Sequence, residues 1–169
     1  MNGYAKYIDV DSFIDYYLIN EISKNVDAKE YSSIYLNVMP GGKIKMGPIW
    51  DFDLAFGNND YSDCEYPEGF WIKGNAWYAR LFQDPAFVTK VKNRFAYYKE
   101  NQTTMLEKMD SYAVLLNKTQ QQNDLTWELI GNYVWPNAFV GDTYQQEVDY
   151  MKSWYTQRMT WLETAINSL

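Results

Sequence analysis

The sequence contains no histidine and only one cysteine, Cys64. Without histidine there is no imidazole triad, general base or imidazole-bound metal; with a lone cysteine there is no intrachain disulfide and no thiolate zinc site. Any chemistry the chain performs falls to carboxylates. Basic residues are also short, 15 Lys and Arg against 22 Asp and Glu, for a net charge of −7 and no basic run anywhere. That balance argues against a nucleic acid or an anionic membrane as partner. No stretch is long and apolar enough to be a transmembrane segment, and residues 1–20 lack the basic start and apolar core of a signal peptide. Internal repeats and low-complexity tracts are absent as well.

What is present is a chain of 169 residues, 47% apolar and 18% aromatic, long enough to bury a core and expected to form a single domain over 1–169. Sixteen Tyr and seven Trp exceed what a core needs. The excess fits layered helices with half-exposed aromatic rims, the commoner case, or a surface that stacks on a ligand.

The pattern along the chain predicts a mainly α fold with one small antiparallel β-hairpin. A helix over Ser12–Lys24, capped by Asp9 or Asp11, is apolar on most of its circumference and is expected at the centre. Ser33–Met39 and Lys43–Met46 read as two strands around Pro40-Gly41-Gly42, with Ile34, Leu36, Val38, Ile44 and Met46 on one buried face. Gly57–Asn75 reads as a long ordered loop held by Phe70, Trp71 and Ile72. Helices follow over Ala76–Phe82, over Pro85–Lys99 behind an Asp84 cap, and over Thr104–Lys118. A polar break at Thr119–Asn123 then separates a further helix over Leu125–Tyr133. The last helix, capped by Asp142 or Thr143, carries Val148, Met151, Tyr155, Met159, Leu162 and Ile166 at steps of three or four. Arg158 lies inside that stripe and calls for a carboxylate partner near the centre, unless its head reaches water.

The most unusual stretch is Gly47-Pro48-Ile49-Trp50-Asp51-Phe52-Asp53-Leu54-Ala55-Phe56-Gly57, where two carboxylates stand among large apolar side chains. In an extended segment Asp51 and Asp53 share one face while Trp50, Phe52 and Leu54 take the other. Buried charge of this kind needs a cation, a donor cluster or a partner charge. Paired oxygens backed by a dry anchor suit a hard cation such as magnesium on phosphates. A reading in which both acids cap turns around Gly57 and Asn58 stands level with it.

The order of several motifs resembles the CotH kinase family. These are Asn20-Glu21 on the first helix, Asn25-Val26-Asp27, Tyr35-Leu36, Gly47 to Asn58, Trp77-Tyr78-Ala79-Arg80-Leu81-Phe82, Asp84-Pro85-Ala86-Phe87 and Arg158-Met159-Thr160-Trp161-Leu162. They span most of the chain, and the variants they resemble are those of gut anaerobes. The resemblance implies a protein-kinase-like C-terminal lobe, ATP, and Mg or Mn as the metal. It implies catalytic Asp27 accepting the proton of a substrate hydroxyl, and Asp51 with Asp53 on the metal. It also implies an extracytoplasmic or cell-surface location and a protein substrate. Ser33 stands where kinase-like members place a metal-sharing asparagine. The helix beginning near Asp9 already corresponds to the second half of the family. The sheet before it, with its phosphate-pairing lysine, is expected to be absent.

Two functional readings follow. In the first the chain is the helix-rich lobe of a CotH-like kinase, metal-dependent and transferring phosphate from ATP to protein hydroxyls in the full-length family, and inactive alone. In the alternative it is an extracytoplasmic glycan- or protein-binding scaffold that keeps the fold without catalysis. A glycosidase using Asp51 and Asp53 ranks below both. Side chains two apart on a strand are rooted only ~6.5–7 Å apart and approach a sugar from one side.

Overall fold

The computed structural model describes residues 3–30 and 33–169. It is mainly helical with one two-stranded antiparallel sheet, as the sequence predicts. The central helix, α1, runs Val10–Ser23. Asp9 caps it by accepting the Ser12 N–H at 3.1 Å, and Phe13, Ile14, Tyr16, Tyr17, Leu18 and Ile22 are all buried. The second strand of the hairpin, α3 (Pro85–Glu100) and α5 (Tyr144–Asn167) all pack on α1. Asp84 caps α3 through the Ala86 N–H, with Pro85 in the first turn, where its missing donor costs nothing. Thr143 caps α5, whose Val148, Tyr155, Met159, Leu162 and Ile166 reach the core while Met151 is half-buried. The short α2 (Ala76–Leu81) is tied in by the Tyr78 hydroxyl, which donates to the Phe13 carbonyl at 2.9 Å.

The hairpin is smaller and less covered than its alternation suggests. Among the described residues only β1 (Leu36–Asn37) and β2 (Lys45–Met46) pair as strands, with Leu36 opposite Met46 and Asn37 opposite Lys45. Met46 is buried against α1, but Leu36 is 44% and Val38 58% exposed, so the expected buried face does not form. Two strands offer one ribbon, and α1 covers only the β2 side of it.

α4 also differs from expectation. It is one helix, Gln102–Trp127, running straight through the supposed break, and Leu129–Tyr133 is not helical. Thr119–Asn123 holds neither Gly nor Pro, and its three glutamines are good helix formers; polarity on an exposed helix interrupts nothing. The helix ends where Glu128 takes a left-handed conformation and Asp124 accepts the Ile130 N–H at 2.8 Å. Of its anticipated stripe, Met109 is buried, Leu106 and Ala113 half-buried, and Leu116 exposed.

Loop 57–75 is ordered, but Phe70, Trp71 and Ile72 do not hold it alone. Ile72 is fully buried, and three charged side chains inside the protein add a hold of their own. Lys24 Nζ donates to the carbonyls of Asp63, Tyr66 and Glu68 at 2.7, 2.8 and 2.7 Å. Glu21 accepts the N–H groups of Trp71 and Lys73 at 2.7 and 3.0 Å. Arg158 pairs with the Glu21 carboxylate at 2.8 Å and donates to the carbonyls of Pro67 and Gly69 at 2.6 and 2.7 Å. Arg158 therefore finds its carboxylate on the central helix, and its head does not reach water.

Candidate functional site

Two segments meet at the C-terminal end of α1. One is the turn Asn25-Val26-Asp27; the other is the stretch from Gly47 to Gly57. Main-chain bonds clamp them: Val26 N–H to the Leu54 carbonyl at 3.1 Å and Phe56 N–H to the Ser23 carbonyl at 2.8 Å. Asn25 completes the join. Its Nδ2 donates to the Asp51 carbonyl at 3.0 Å and to Asn20 Oδ1 at 3.3 Å, while its Oδ1 accepts the Asp27 N–H at 3.3 Å. One buried carboxamide thus sets both aspartate-bearing segments in the same frame. Gly57 closes the far side. It has φ +79°, and a Cβ there would sit 2.4 Å from the Trp154 ring, so only glycine fits.

The structure brings Asp27, Asp51 and Asp53 into one electrostatic neighbourhood. It corrects the premise that the pair is buried, because Asp51 and Asp53 are both exposed and Asp27 is half-buried. The regular alternation fails at Asp51, whose φ of 60° turns the chain out of the extended conformation. The aromatic neighbours are accordingly not a continuous dry wall. Phe52 and Leu54 are half-buried, while Trp50 is 44% exposed.

The turn at Asp51 brings its carboxyl within hydrogen-bonding reach of Asp53. That bond and the Asp53 charge raise the Asp51 pKa above the ordinary carboxylate value, with slight burial and the Asp27 charge adding to the effect. Tyr61, at the start of the following loop, is pushed up by burial first and then by surrounding charge, that of Asp27 foremost. Nothing among the described residues neutralises the three acids. No main-chain N–H caps the carboxylate of Asp51 or Asp53, and no Lys or Arg pairs with any of the three. The nearby lysines are engaged elsewhere: Lys24 on loop carbonyls, Lys29 over the Trp71 ring and Lys73 over Phe70.

Among the described residues no group of three or more Asp, Glu, Cys or His side chains is placed to hold a metal ion, Asp27, Asp51 and Asp53 included. Magnesium does not require one, since it is commonly held by one or two carboxylates with phosphates and water completing the shell. The uncapped Asp51–Asp53 pair, all hard oxygen, fits that mode. Ser33 is half-buried with φ 62°, and its carbonyl accepts the Trp50 indole N–H at 3.0 Å, which ties it to the residue before Asp51. Arg158 is not brought to the three acids; it serves the Glu21 network. Sequence reasoning assigned no role to Asn25, Lys24 or Glu21. Polar side chains at the end of an otherwise apolar, all-round-buried helix were the available signal.

No curated protein and no solved structure matches the chain. A family model described as CotH kinase protein matches residues 1–162 of its 169. Covering nearly the whole chain, that match includes α1, the turn at Asp27, the segment at Asp51 and Asp53, and most of α5. The chain therefore belongs to the CotH family.

Proposed function

We propose that the chain is the metal-binding, helix-rich lobe of a CotH-like kinase, with Asp51 and Asp53 as ligands to Mg or Mn and Asp27 as the group that accepts a proton from the substrate hydroxyl. One observation carries the reading: two exposed carboxylates sit against each other, one with its pKa raised by the other, with neither cation nor donor among the described residues to offset them. A bound ion would supply the positive charge that draws electron density off ATP phosphates. Asp51 and Asp53 hold the ion, Asp27 orients and deprotonates the acceptor hydroxyl, and Asn25 positions the two segments relative to one another. The phosphate-pairing lysine that the family resemblance implies has no counterpart assigned in this chain, so the 169 residues are expected to bind the metal without turning over ATP. Titration calorimetry with Mn²⁺ tests this. Binding weakened at least about tenfold by Asp51→Asn and by Asp53→Asn supports the reading, and binding indifferent to both substitutions overturns it.

A role in binding a protein or glycan without catalysis is favoured by a different observation, the large aromatics left in solvent, Trp135 at 71% and Tyr133 at 59% among them.

A further inference from the structure

Between α4 and α5 the chain runs as an irregular arm, residues 129–143, that leans back onto the loop following the aspartates. The Asp60 N–H donates to the Pro136 carbonyl at 2.9 Å, and the Tyr133 hydroxyl donates to Asp60 Oδ2 at 2.9 Å. Phe139 stacks on Tyr150 with centroids 4.3 Å apart. These ties hold Trp135 in a defined place. Its ring lies nearly parallel to Tyr61, 18° between planes and 6.3 Å between centroids, and the residue is nonetheless 71% exposed. An indole fixed on one face and open on the other is a stacking shelf.

The same arm and loop border a cavity of about 330 Å³, lined by Asp53, Glu147, Asn58, Asn137, Phe52 and Tyr150 among others. Its size falls within the about 300–1,000 Å³ that small-molecule sites occupy. Neither Tyr61 nor Trp135 lines the cavity itself, but shelf and cavity draw on the same two segments. On the arm, Trp135 and Asn137 lie in one turn closed by the Asn137 N–H to the Val134 carbonyl at 2.8 Å. On the loop, Asn58 and Tyr61 are three residues apart. The cavity lining holds no Lys or Arg, so it does not suit an anion. Its polar groups are carboxylates and carboxamides, and the Asn137 side chain has no hydrogen-bond partner among the described residues. A flat aromatic face beside planar groups that both donate and accept matches a sugar ring, whose C–H face stacks while its hydroxyls pair in-plane. A basic peptide is the rival occupant. It would satisfy the carboxylates but leave the Asn137 amide donors unused, Asn58 already donating to the Asp53 carbonyl.

We propose that the Tyr61–Trp135 shelf and the adjoining cavity bind a neutral saccharide. The inference rests on the binding role above, gives it a place and a ligand class, and holds whether or not the aspartates take part in phosphoryl transfer. The test is an array of neutral oligosaccharides probed with the full chain. It is followed by titration of the best-bound oligosaccharide, read by tryptophan fluorescence with and without EDTA, and by a parallel titration with an oligolysine peptide. The expected result is EDTA-insensitive saccharide binding, weakened about tenfold or more by Trp135→Ala and by Asn137→Ala. Trp135 is exposed enough for its variant to fold. No saccharide bound, or binding untouched by both substitutions, overturns the proposal. Binding of oligolysine alone also overturns it while leaving a protein-binding role standing.

Discussion

At the scale of single residues, Asp51 and Asp53 are organised by each other. The raised Asp51 pKa has Asp53 as its main cause, through hydrogen bond and charge. Asp53→Asn should therefore return Asp51 toward the ordinary carboxylate value, measured by carboxyl carbon NMR across an acid titration. A carboxyl whose folded pKa is raised binds its proton more tightly in the native state, so its stabilising contribution is present at low pH and is lost as pH rises through the folded pKa. A metal competes with that proton, so affinity for Mn²⁺ should fall as pH drops into the raised Asp51 range. The presence of this acid pair was legible in the sequence, as was its separation from any basic run. Its exposure was not, because the left-handed turn at Asp51 is not encoded by the apolar spacing of its neighbours. Glu21 is a different case. Burial pushes its pKa up, opposed by Arg158 and by the main-chain donors of the loop. Removing one partner of a fully buried pair leaves the other uncompensated, so Glu21→Gln should cost about 3–5 kcal/mol in urea denaturation. A loss below about 1 kcal/mol would show that the pair behaves as a surface bridge.

At the scale of elements, the helices most legible in the sequence are those with side-chain caps and a buried stripe. Asp9 for α1, Asp84 for α3 and Thr143 for α5 each accept a main-chain N–H as their spacing suggests. α4 was misjudged because a glutamine-rich run resembles a loop in polarity while favouring helix in propensity. Loop 57–75 could be recognised as ordered but not explained, since its carbonyls are held by Lys24 and Arg158, and Arg158 lies 137 positions from its Glu21 partner. The site segment ends at Gly57, whose missing side chain lets Trp154 pass and donate its indole N–H to the Glu65 carbonyl at 2.8 Å. Gly57→Ala combines a strained φ with a steric clash, so a loss of about 2 kcal/mol or more is expected. The near-ultraviolet circular dichroism of Trp154 should change with it. An unchanged melting temperature would mean that the segment can move away from α5 without cost.

At the scale of the whole molecule, buried charge holds a loop in place at one end of α1 while exposed charge gathers beside it. The chain carries a net charge of −7, so a divalent cation is attracted to it generally, and the Asp51–Asp53 pair, with Asp27 near it, offers uncapped acids of which Asp51 has its pKa raised by its neighbour. Ordinary surface acids such as Asp11, Asp15 and Asp110 already have lysine or arginine partners. A ligand that binds only the native state raises stability with its concentration, so Mn²⁺ should increase the melting temperature of the chain and fail to do so for the Asp51→Asn, Asp53→Asn double variant. The most direct measurement is paramagnetic broadening of backbone amide signals during a Mn²⁺ titration. The account predicts that the first signals lost are those of residues 26–28 and 51–54, and that the double variant keeps them. Broadening that begins elsewhere on the acidic surface, or that persists in the double variant, would contradict it.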